Sequence, residues 1–129
     1  MRFMISLTAL AMTLSTGLAA EDVLIADFEG TNYGQWHVTG DAFGNQPASG
    51  TLKGQQDVLG FRGNGLVNSF LNGDRTKGEL LSPEFVIEHN HIVFLIGGGS
   101  KGVGVELLAG KSVVRSATGK NQEMLSWHS

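Results

Sequence analysis

The sequence predicts an all-β fold, a two-sheet antiparallel sandwich or jelly roll, on three observations. Glycine supplies 19 of 129 residues and proline two, a balance that suits many tight turns and bulges. Short apolar runs alternate with polar residues at period two, with turn signals at regular intervals between them. After residue 20, no window of eleven or more residues shows helical periodicity.

The first twenty residues stand apart. MRFMISLTALAMTLSTGLAA has one early charge (Arg2), an apolar middle and a small-residue end. That layout predicts a helical bacterial-type secretory signal, cut after Ala19 or Ala20. Its apolar stretch, broken by Ser6, Thr8 and Thr13, is too short and weak for a membrane span. The expected product is secreted or periplasmic, with no stable membrane insertion after cleavage. Residues 21–129 then form one β-sandwich module, preceded by the leader at 1–20.

Within the module, residues 23–28 (VLIADF) are β-prone and read as the first strand. Gly30 to Gly34 is a turn, and residues 36–39 alternate as a half-buried strand should. Residues 40–54 carry the breakers Gly44, Asn45, Pro47 and Gly50. Residues 58–61 and 66–71 are short strands, the second closed by Asn72-Gly73, a hairpin dipeptide whose positions both tolerate positive φ. Residues 79–82 and 85–87 flank Pro83, which marks a break or an edge. Residues 91–96 form the most apolar strand and are expected at the centre of a sheet. Residues 103–108 pair onward through Ala109-Gly110 to residues 112–115. Residues 124–128 begin a further alternation that stops at Ser129 without a turn signal, so the sandwich reads as incomplete at its C-terminal end.

Charge and composition exclude several functions. Without Arg2 the module carries eight Lys and Arg against twelve Asp and Glu. This acidic balance argues against nucleic acid and against an anionic membrane surface. There is no cysteine, hence no disulfide, no thiolate metal site and no thiol nucleophile. Residues 97–102 (GGGSKG) satisfy G-x-G-x-x-G, but the β-like Val103-Gly104-Val105 follows instead of the helix a pyrophosphate needs. This is a glycine-rich strand connection. Residues 98–102 (GGSKG) spell G-x-S-x-G but run into the same β-like stretch instead of the helix of a nucleophile elbow, and H-E-x-x-H does not occur.

Three groups of side chains carry candidate chemistry. His89 and His91, at i and i+2, would share a face of a strand and offer two zinc ligands, or else belong to a polar loop. Asp27 and Glu29 flank Phe28 near a glycine turn, a placement suited to structural calcium. Tyr33, Trp36 and Phe43 lie among amides, and aromatic faces beside amides suit sugar stacking with hydroxyl hydrogen bonds. Trp36, on a strand, also reads as core. Arg62, Asn68 and Asp74 add polar groups to a carbohydrate-binding face.

Several segments together resemble a known module: 27–50 (DFEGTNYGQWHVTGDAFGNQPASG), 60–74 (GFRGNGLVNSFLNGD), 80–85 (LLSPEF), 94–99 (FLIGGG) and 115–119 (RSATG). It is the β-sandwich domain ahead of the catalytic domain in secreted bacterial family 32 glycoside hydrolases, the levanase, inulinase and invertase-type enzymes. The resemblance implies a jelly-roll, galactose-binding-like accessory module whose partners are a fructan-type polysaccharide or oligosaccharide and the catalytic domain of a glycoside hydrolase. No family catalytic residue has a counterpart here. In such proteins the module continues beyond the position of Trp127. The FEG segment also resembles calcium-binding jelly rolls, with Glu29 at the position of a first-strand ligand.

Overall fold

The computed structural model describes residues 1–5 and 20–129; most of the expected leader, 6–19, lies outside the described residues. The described residues are all-β and contain no helix. Their strands are β1 (Arg2–Ile5), β2 (His37–Gly40), β3 (Gly78–Leu81), β4 (Phe94–Gly98), β5 (Val105–Ala109), β6 (Ser112–Ala117) and β7 (Gln122–His128). One sheet has the order β2-β3-β1-β5-β6, the other is the pair β4-β7. This two-sheet arrangement is the expected sandwich.

Two antiparallel pairs flank the centre of the larger sheet. β2 pairs β3 in the register Val38↔Leu80, and β5 pairs β6 in the register Glu106↔Ser116, with a shift between Leu107 and Leu108. Gly110, at φ +59°, makes the tight β5–β6 turn without a steric cost. Gly40 and Gly78 close the β2–β3 register, where a Cβ on Gly40 would strike the backbone of Lys77 and Gly78. The outer edge of the sheet is β6, whose residues 112–116 are all exposed.

Between the pairs runs β1, parallel to both β3 and β5. The expected helical leader is therefore corrected over Arg2–Ile5, which is a strand and makes the sheet mixed. The tetrapeptide RFMI has period two: Phe3 and Ile5 are buried and Met4 less so. Arg2 Nη1 donates to Glu79 Oε2 at 2.8 Å, and its Nε lies 2.9 Å from Glu106 Oε2 without hydrogen-bond alignment. The terminal ammonium of Met1 donates to the Gly104 carbonyl at 2.9 Å.

Other expectations are corrected as well. Residues 23–28 pair with no strand and leave Leu24 73% exposed; β-propensity without a partner edge does not make a strand. Residues 58–61 contribute one bridge, Leu59↔Met124, and residues 66–71 one bridge, Ala48↔Leu66, before the chain turns. Asn72-Gly73 closes no hairpin; Asn72 Nδ2 instead donates to the Asp41 carbonyl. Residues 91–96 contribute β4, which sits in the two-stranded sheet rather than at the centre of the larger one. Residues 124–128 do continue as a strand, β7, paired antiparallel with β4.

The core sits under β3. Leu80, with no exposed surface, meets Tyr33, Ala42 and Phe43, and Phe28, Trp36 and Val38 pack around them. Elsewhere, Phe3, Ile5 and Leu107 of one sheet and Phe94 and His128 of the other line a solvent-open cleft of about 410 Å³. Leu80→Ala is expected to lower unfolding free energy by about 3 kcal/mol, the usual cost of emptying a fully buried leucine site. Val113→Thr on the exposed edge strand is expected to change it by less than about 0.5 kcal/mol. Urea unfolding of the two variants measures both.

Candidate functional site

The residues that the sequence assigns to a sugar-binding face divide into separate places. Tyr33 and Phe43 are core. Tyr33 is 5% exposed and its hydroxyl donates to the Phe43 carbonyl at 3.1 Å; burial pushes the phenol above its usual pKa range. Neither ring presents a face to solvent, so the expectation of an aromatic platform at these two residues is corrected. Each is held because Ala42 and Leu80 fill the space beside it.

Trp36 is half-buried. Its ring meets Phe3 edge-on at 5.1 Å and Phe28 at 5.3 Å, an aromatic arrangement that stabilises beyond area burial alone. The remaining indole surface borders a groove of about 460 Å³ between residues 23–28 and residues 82–85. Val23, Leu24 and Ile25 form its exposed apolar wall. Of the two readings of Trp36, the core one describes most of its surface.

Asn68 is buried and structural. Its Nδ2 donates to Gln55 Oε1 at 2.8 Å and to the Gly50 carbonyl, while its Oδ1 accepts from Gln55 Nε2 and from the Phe70 amide. This exchange staples loop 50–55 to residues 68–70 and leaves no free amide for a ligand. Asp74 is exposed in the turn before β3. The structure does not bring Asn68 and Asp74 to the aromatic cluster.

Glu29 has a specific task. Its carboxylate accepts from the Asn64 amide at 2.9 Å and the Gly65 amide at 3.0 Å, and Asn64 Nδ2 adds a longer contact. Phe28, at φ +58°, turns the chain so that its ring faces Trp36 while Glu29 reaches the 63–65 turn. A bulky residue in that region is strained and must be held by its surroundings. Gly65 is required opposite it, because a Cβ there would collide with the Phe28 carbonyl. The Gly65 and Asn64 amides hold the Glu29 carboxyl below the usual carboxylate range. Asp27 Oδ1 accepts the Glu29 amide at 3.0 Å. The pair expected for calcium thus makes local contacts, and no group of three or more His, Asp or Glu side chains suited to a metal ion occurs among the described residues.

Arg62 occupies a third place. Its guanidinium carbon lies 5.3 Å from the centroid of the Trp127 ring, within the range of a cation–π contact. The parallel Leu59↔Met124 bridge sets this approach, since it runs residues 59–62 alongside residues 124–127 of β7. Trp127 is 58% exposed, and among the described residues it is the one exposed aromatic side chain. Sequence reasoning missed it as a site residue. The available signal was period two along β7, which places Trp127 opposite in facing to His128, whose ring meets Phe94 at 5.3 Å.

His89 and His91 lie in an irregular segment before β4, in agreement with the polar-loop reading. The glycine-rich segment 97–102 joins β4 to β5 as a strand connection. The other carboxylates that the fold gathers are Glu79 and Glu106, both engaged by Arg2. Among the described residues no helix is long and apolar enough to cross a membrane.

An all-β sandwich with one arginine-backed exposed tryptophan is what the geometry defines. Over 128 residues the chain is 40% identical to the "Putative glycosyl hydrolase ecdE" of Aspergillus rugulosus, with 95% of this chain aligned. The alignment takes in 18% of that protein, so the chain spans under a fifth of its curated relative. No protein-family model matches the chain, and no solved structure matches it.

Glu29→Gln is expected to lower Tm near neutral pH and to leave it unchanged in acid. A lowered folded pKa means the clamp stabilises fully above the unfolded carboxylate value and is lost as pH falls through the folded one. Tm recorded from pH 7 down to about 3 should show the two curves converging below the usual carboxylate range. Trp36→Ala is expected to cost on the order of 3 kcal/mol, read by denaturant unfolding.

Proposed function

We propose that this chain is a non-catalytic accessory module of a secreted, fructan-degrading glycoside hydrolase of family 32 type, and that it holds polysaccharide near a catalytic domain. The observation that carries the proposal is the 40% identity, over nearly all of this chain, to a small part of a much longer glycosyl hydrolase. Linkage to a catalytic domain raises the effective substrate concentration without requiring a tight site. Trp127 supplies an exposed ring for stacking on sugar C–H surfaces, and Arg62 supplies donors for hydroxyls. The non-catalytic reading is supported by the carboxylates: glycoside cleavage uses two that face a cleft, whereas Glu79 and Glu106 face Arg2.

A second reading has its own observation. The apolar wall of Val23, Leu24 and Ile25 is exposed over contiguous residues, as a surface that packs on a neighbouring domain would be. In this reading the module supports the enzyme and contacts no sugar.

Affinity electrophoresis in gels containing levan, inulin or an unrelated glucan separates the two. The proposal expects retardation in levan or inulin, lost in Trp127→Ala with Tm moved by less than about 2 °C. Free migration of the parent chain in all three gels would rule out sugar binding and favour the packing role.

A further inference from the structure

The strand directions of the larger sheet contain an inconsistency. β2 is antiparallel to β3, and β6 is antiparallel to β5. β3 and β5 are both parallel to β1, so they run the same way, with one position between them. A strand antiparallel to both neighbours at that position would make all five strands alternate, as in an antiparallel sandwich. β1 is the one strand that breaks the alternation, and parallel pairing is slightly less stable per residue.

β1 also fills its place incompletely. Against β5 it registers over four residues, Arg2↔Glu106 to Ile5↔Ala109. Against β3 it registers only at Arg2↔Leu81, with one further bridge from Ile5 to Phe85. The edge of β3 from Gly78 to Leu80 has no register partner on the β1 side. Two carboxylates, Glu79 and Glu106, flank the position and meet one guanidinium there. Cleavage of the expected leader after Ala19 or Ala20 would remove β1 altogether.

We infer that the β3–β5 position is a strand-acceptor slot, that β1 is its displaceable occupant, and that the slot takes an antiparallel strand from polypeptide outside residues 1–129 of a longer protein. The relative in which this chain covers only 18% of the length carries abundant further chain of that kind. The donor strand would alternate apolar residues, to replace Phe3 and Ile5 against the interior, and carry a basic residue between Glu79 and Glu106. Backbone amides supply most of the affinity in such strand addition. The inference rests on strand direction and register, and is independent of sugar binding.

Two measurements on the full chain test it. In hydrogen exchange, the amides of Met4, Ser82, Phe85 and Glu106, which donate to or from residues 1–4, should exchange at least about tenfold faster than those of the β2–β3 and β5–β6 pairs. Equal protection would mean that β1 is an integral strand and would overturn the inference. The orientation arm uses the absence of native cysteine. Lys77→Cys places a thiol just before β3, and short synthetic peptides of alternating valine and threonine with one arginine carry a cysteine at either end. An antiparallel donor puts its C-terminus there, so disulfide trapping of the C-terminal cysteine should exceed that of the N-terminal one several-fold. Preference for the N-terminal cysteine, or trapping no greater than that of a glycine–serine control peptide, would overturn it.

Discussion

The fold depends on the burial of Leu80 between its strand and a small aromatic cluster. In a chain without cysteine, no covalent staple limits the unfolded ensemble. Stability rests on packing, and the packing is concentrated where Tyr33, Ala42 and Phe43 close over β3. Around that point the structure places a ring of local ties. The Tyr33 hydroxyl holds the Phe43 carbonyl, Asn68 and Gln55 hold each other, and Glu29 holds the 63–65 turn. Each fixes a loop that has no ladder of its own, satisfying backbone groups that loops otherwise leave to water.

Those ties explain why candidate binding residues became structural ones. An aromatic residue, an asparagine or a glutamate near a glycine turn has the same sequence appearance whether it meets a ligand or a neighbouring loop. Here a loop-rich, β-poor chain must satisfy many irregular backbone amides. Glu29 answers two of them and Asn68 one amide and one carbonyl. The residues left free for ligand are those outside this network, and Trp127 with Arg62 is the clearest pair. Its position at the end of β7 places it away from the core cluster, so its exposure costs the core nothing.

The sheet architecture was legible wherever alternation and a glycine turn occurred together. β2, β3, β5, β6 and β7 lie close to where period two and turn chemistry place them. Residues 23–28 show the limit: a β-prone run becomes a strand only if an edge is available, and edge availability is a long-range property. The same holds for residues 91–96, whose apolarity suggested a central place. Such a run is equally satisfied in a two-stranded sheet that forms one wall of the cleft between the sheets. The β1 tetrapeptide was hidden differently: its period two is too short to stand out from a leader-like apolar stretch. Of the site, residue types were readable, but the division of Tyr33, Arg62 and Asn68 among three places required the loops' paths.

The edge strand β6 carries a consequence for behaviour in concentrated solution. Its exposed residues include Val113 and Val114, adjacent and β-branched, with ladder groups on the outer side open to another chain. Such an edge is a template for strand-to-strand stacking between molecules, the seed of fibrous association. Lys111 and Arg115 bracket the valines, and in a second copy the same cations would face them across any in-register seam. Like charge then acts as the gatekeeper of solubility, so dilute buffer keeps the molecules apart while high salt, by shortening the reach of that repulsion, lets them meet.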